Sequence, residues 1–95
     1  MQLFPPLTDF YNAIKEDTRI GATHISIYMA LLQQWNINSG NNPVIINRST
    51  IMKSSKINAR QTYNKCMTDL HKYGYIIYKP AANAYAESIV HLITK

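Results

Sequence analysis

The chain has 95 residues, 46% of them apolar, and a formal charge of +5, which gives room for one folded domain with a modest core. Its single cysteine, Cys66, excludes an internal disulfide; with no export signal in view, a reducing cytoplasm is the expected compartment. No apolar run reaches the ~20 residues that a membrane helix requires, and the first six residues lack the basic flank and apolar core of a signal peptide.

Pro5 and Pro6 predict an extended lead-in over residues 3–7. Thr8 then caps a short helix from Asp9 to Glu16, with Phe10, Tyr11 and Ile14 on its apolar face. After a break over residues 17–21, Thr23 opens a longer helix. Its stripe is Ile25, Tyr28, Met29, Leu32 and Trp35, widened by Ile27 and Leu31 so that two partners can pack on it. Residues 36–42 read as a polar loop, and Val44, Ile45 and Ile46 as a short strand. Asn47 is the cap of a helix from Arg48 to Ser54, with Ile51 and Met52 facing inward. A turn over residues 55–58 precedes a helix from Ala59 to Tyr73, capped by Asn58 with Gln61 at the reciprocal position. Gly74 supplies the left-handed residue that ends it. Two strands follow, residues 75–79, closed by Pro80, and 88–93, with a loop between them that carries Asn83 and Tyr85.

The helix over residues 59–73 carries the most information. Tyr63, Cys66, Met67 and Leu70 form one stripe of a 3.6-residue period. Between them stand Arg60, Gln61, Asn64, Lys65 and Thr68, side chains able to bond base edges and phosphates in a DNA groove. The charge is lopsided in the same direction. Residues 1–47 carry Lys15 and Arg19 against Asp9, Glu16 and Asp17; residues 48–95 carry eight Lys or Arg against Asp69 and Glu87. A polyanionic partner and a solvated basic surface both fit that excess.

With these elements in this order, residues 23–93 resemble a winged helix-turn-helix domain. The stretch from Ala59 to Lys65 is similar to the start of a MarR-like or GntR-like recognition helix, and Leu70-His71-Lys72-Tyr73-Gly74-Tyr75-Ile76 to the ending that turns into a wing. His24-Ile25-Ser26-Ile27-Tyr28, Trp35-Asn36 and Asn83-Ala84-Tyr85 resemble segments of short winged-helix proteins of bacterial phages and mobile elements. Two positions depart from the pattern. Ala59 stands where a capping Ser is common, and Ser54 where a large aliphatic is usual, which predicts a less firmly anchored second helix.

The resemblance implies a mainly α fold with a small antiparallel β-wing. Residues 1–21 would form an N-terminal extension with a short helix, and residues 22–95 a winged helix-turn-helix domain with a three-helix core. It implies double-stranded DNA as partner and a role in transcriptional regulation or replication control, in a cytoplasmic, nucleoid-associated setting. Arg60, Gln61, Asn64, Lys65 and Thr68 would enter the major groove. Arg48, Ser49, Thr50, Lys53 and Lys56 would hold the backbone, helped by a helix N-terminus. Lys79 and Asn83 would reach from the wing, while Tyr85 anchors its loop.

No catalytic residue, cofactor or metal is expected. His24, His71 and His91 are scattered without acidic or cysteine partners at ligand spacing, and read as polar surface or boundary residues. Cys66 lies within the apolar stripe as a packing residue. Trp35 and the seven tyrosines could stack on single strands, but most fall on apolar faces and read as core. Leu3, Phe4, Leu7, Phe10, Tyr11 and Ile14 exceed what three helices need; they either cover the first main helix or form a homodimer contact, with cover favoured. The rival to DNA binding is a winged-helix assembly module, which an exposed apolar patch would favour. The end at Lys95, just past the last strand, suggests a whole minimal domain; a module of a longer replication initiator is the other reading.

Overall fold

The computed structural model describes residues 4–80 and 87–93. Four helices, α1 (Phe4–Ile14), α2 (Ala22–Ile37), α3 (Arg48–Ser55) and α4 (Arg60–Lys72), accompany three strands, β1 (Val44–Ile46), β2 (Ile76–Lys79) and β3 (Ser88–Leu92). The domain is a small α/β unit whose antiparallel sheet has the order β1-β3-β2. Val90 is the hub of the sheet, opposite Val44 on one side and Tyr78 on the other. No helix among the described residues is long and apolar enough to cross a membrane.

The sheet buries one face. Val44, Ile46, Ile76, Ser88, Val90 and Leu92 point to the core, and Ile45 and Ile77 point out. This is the period-2 alternation of a half-buried strand. Against that face lie Ile27, Tyr28, Leu31 and Leu32 of α2, Ile51 of α3, and Tyr63, Met67 and Leu70 of α4. Their burial supplies most of the driving force for folding.

Five local expectations are corrected. Residues 4–7 are not an extended lead-in, because α1 already begins at Phe4. Pro5 and Pro6 fall in its first turn, where backbone N–H groups have no intrahelical partner to lose and a φ near −65° is already helical. The helix also stops at Ile14 rather than Glu16. Residues 36 and 37 belong to α2 and not to the loop. Met29, expected in the α2 stripe, is 39% exposed, and Ala30 is buried in its place. The buried pairs Ile27–Tyr28 and Leu31–Leu32 repeat every four residues and turn Met29 outward.

The remaining correction concerns the join of α3 and α4. Asn58 does not cap α4; Ala59 holds the cap position with extended backbone and no side-chain bond, so Gln61 has no reciprocal partner. The reason is the way α3 ends. Lys56 sits in the left-handed region at φ 63°, and Ile57 N–H bonds Met52 C=O at 3.0 Å. That Schellman closure uses up the first turn residues, so the chain cannot re-enter a helix until Arg60. By contrast, Asn47 does cap α3, accepting from Thr50 N–H at 3.3 Å. Gly74 closes α4 at φ 85°, with Tyr75 N–H on Leu70 C=O at 2.9 Å.

The expected weakness at Ser54 does not matter, because that residue is exposed. The neighbouring Ser55 is buried and supplies a polar anchor. Its hydroxyl donates to Ile51 C=O at 2.6 Å, and its own C=O accepts from Ser26 Oγ of α2 at 2.6 Å.

Phe10 brings α1 into the core. It is 2% exposed, stacks on Tyr28 at 3.8 Å and meets Tyr75 edge-on at 5.4 Å. Phe10, with Leu7 and Ile14 beside it, thus covers part of the first main helix, while Tyr11 is 43% exposed and the side chains of Leu3 and Phe4 lie outside the described residues. The following link is fastened by Asp17. Arg19 forks onto its carboxylate at 2.8 and 2.9 Å, and Tyr75 Oη donates to it at 2.7 Å. The Arg19 guanidinium also lies 4.0 Å over the Tyr73 ring.

These donors, Arg19 first and Tyr75 second, hold the Asp17 carboxyl far below the ordinary range. A lowered carboxylate stabilises the fold at pH values above its unfolded value, about 3.9, and that contribution is lost as acid titrates it. Asp17→Asn is therefore expected to flatten the fall of melting temperature with pH below about 4. Melting curves of both proteins across the acid range check this; parallel acid limbs would refute it.

Candidate functional site

The exposed side of α4 is the site that the residues themselves build. Tyr63, Cys66, Met67 and Leu70 are all buried, at most 5% exposed, and fix the helix to the core. Arg60, Gln61, Asn64, Lys65 and Thr68 are all exposed. At about 100° per residue, these five positions fall within an arc of roughly 140° opposite the packed stripe. The geometry follows from the sequence spacing, because the buried four occupy the complementary arc. Burial raises the proton affinity of the Cys66 thiol, as expected of a packing residue.

The second group, Arg48, Ser49, Thr50, Lys53 and Lys56, is likewise exposed. Arg48, Ser49 and Thr50 form the first turn of α3, Lys53 its last, and Lys56 the left-handed turn before α4. Lys79 is exposed at the end of β2. Asn83 and Tyr85 lie outside the described residues.

Lys65 is not a free cation. Its ammonium bonds Asp69 Oδ2 at 2.9 Å, an i,i+4 pair along α4. The same oxygen accepts from His24 Nε2 at 2.9 Å, across to α2. The other ring nitrogen of His24 accepts from Gly21 N–H at 3.0 Å. A backbone N–H can only donate, so Nδ1 carries no proton and Nε2–H donates to Asp69. These two donors, His24 first, hold the Asp69 carboxyl below its usual range.

His24 was expected at the surface or a boundary; at 12% side-chain exposure it is a boundary residue that links two helices. His71 similarly receives Tyr78 N–H on Nδ1 at 3.0 Å, fastening the end of α4 to β2. Neither link has a sequence signal, because the partners are 45 and 7 residues apart without a fixed period. Lys65 and Asp69, by contrast, announce themselves by their spacing. Among the described residues, no group of three His, Cys, Asp or Glu could hold a metal ion.

Comparison with protein-family models, with curated proteins and with solved structures finds no match to this chain.

Proposed function

We propose that the chain is a winged helix-turn-helix protein that binds double-stranded DNA without catalysing a reaction. The observation that carries this is the α4 surface: five side chains with base- and phosphate-bonding groups exposed on one arc of a helix whose back is fully packed. The element order supports it. A helix, a short strand, two helices and two further strands, with the last strand central in the sheet, suit a recognition helix followed by a β-hairpin wing. In this reading α4 enters the major groove, and Arg60 forks onto guanine while Asn64 or Gln61 pairs with adenine. Arg48, Ser49, Thr50, Lys53 and Lys56 hold phosphates at and after the free N–H groups of α3. Lys79 reaches the flanking backbone. The setting is transcriptional or replication control on a bacterial nucleoid or mobile element.

Five neutralised phosphates would give a slope of log affinity against log salt near −4 to −5. Titration of labelled random duplex between ~50 and ~200 mM salt measures it; binding that does not respond to salt would reject the reading.

Lys56 offers a separate check. A lysine in the left-handed region costs about 1–2 kcal/mol, which glycine avoids at the expense of its own unfolded-state freedom. Lys56→Gly is therefore expected to stabilise the fold by about 0.5–1 kcal/mol while weakening duplex binding. Gain in both properties would remove Lys56 from the interface.

One observation favours a second reading, an assembly module or homodimer. Ile37 at the end of α2 and Ile45 on the edge strand β1 are 65% and 60% exposed and line one shallow depression with Pro43. Sedimentation of the protein and of Ile45→Lys separates the two; a concentration-dependent dimer abolished by the substitution would favour assembly.

A further inference from the structure

We propose that Asp69 is a positioning residue of the α4 interface, a built-in competitor that holds the Lys65 ammonium until a phosphate displaces it. The inference rests on the DNA reading above and adds a residue to it. Lys65 is 73% exposed and can swing outward, whereas Asp69 is 13% exposed and cannot follow. His24 keeps it in place from the buried side, and His24 is itself oriented by Gly21 N–H. One oxygen, Oδ2, therefore serves both a fixed donor and a mobile one.

When DNA approaches, Lys65 must exchange a carboxylate for a phosphate, so part of its attraction to DNA is already offset in the free protein. Asp69 is the one carboxylate on α4, so nothing else on that helix plays this part.

The experiment measures binding of a random-sequence duplex by fluorescence anisotropy over a range of salt, for the wild type, Asp69→Asn, Lys65→Gln and the double variant. Asparagine keeps an oxygen that can accept from His24, and thermal unfolding followed by circular dichroism verifies that each variant is folded. Asp69→Asn is expected to bind about three- to ten-fold more tightly at low salt, with a slope steeper by about one. The double variant is expected to lose that gain, because the freed ammonium is absent.

If the wild type binds with normal salt dependence and Asp69→Asn binds no more tightly, the competition is overturned and the DNA reading stands. A gain that persists in the Lys65→Gln background would also overturn it, since mere removal of negative charge would then account for the effect. If neither the wild type nor Asp69→Asn binds duplex at low salt, the DNA reading fails and takes this inference with it.

Discussion

Replacing Phe10 with alanine is expected to lower the free energy of unfolding by about 3–5 kcal/mol, the range for removing a buried aromatic ring. The ring is 2% exposed and is held between Tyr28 and Tyr75. Its loss leaves a cavity that rigid aromatic neighbours cannot collapse to fill. A domain of this size has roughly 5–15 kcal/mol of total stability, so a large share would go at once. Urea denaturation measures the change. Asn12→Ala, exposed on the same helix, should stay within about 0.5 kcal/mol of the wild type. A loss below about 1 kcal/mol for Phe10→Ala, well under the buried-aromatic range, would mean that α1 does not dock on α2 in solution. The consequence reaches past stability, because Phe10 ties α1 to α2 through Tyr28 and, through Tyr75, to the segment that leads from α4 into β2.

Arg60→Ala is expected to weaken duplex binding about ten- to one-hundred-fold, the range for losing a bidentate contact to guanine, while leaving the melting temperature unchanged. The two halves of that prediction have one cause. Arg60 is exposed at the start of α4, and its side chain has no hydrogen bond or ion pair among the described residues. The fold therefore does not depend on it, and its whole effect should appear in binding. Leu70→Ala serves as the opposite control: with its side chain fully buried, it should cost about 2–5 kcal/mol of stability. If Arg60→Ala binds as the wild type does, α4 is not the reading surface and the interface must be sought elsewhere. If Arg60→Ala binds weakly on every sequence alike, Arg60 holds phosphate and the base-reading role passes to Gln61 and Asn64.

How much of this could be read without coordinates depends on the range of the interaction concerned. The α4 stripe of Tyr63, Cys66, Met67 and Leu70 is buried as its spacing requires, and the exposed arc follows as its complement. The Asn47 cap and the left-handed Gly74 are equally local, since each acts within about four residues of itself. The errors arose where a local rule had competitors. Proline breaks a helix interior but is at home in a first turn, and composition alone cannot say which turn residues 5 and 6 occupy. Asn58 is a better capping residue than Ala59, yet the closure of α3 sets where α4 can begin.

Contacts across the chain had no such signal. Phe10 against Tyr28, Ser26 against Ser55, and His24 against Asp69 join residues 18, 29 and 45 positions apart. Nothing periodic connects such pairs; they meet because hydrophobic burial brings α1, α2, α3 and α4 together. Periodicity thus determined which residues α4 would bury, since that is a property of a dozen consecutive side chains, whereas in α2 it named Met29 and packing buried Ala30 instead. Packing of the elements alone settled that Asp69 is anchored by His24 and that α1 covers the core, because each depends on distances between segments that sequence order leaves open.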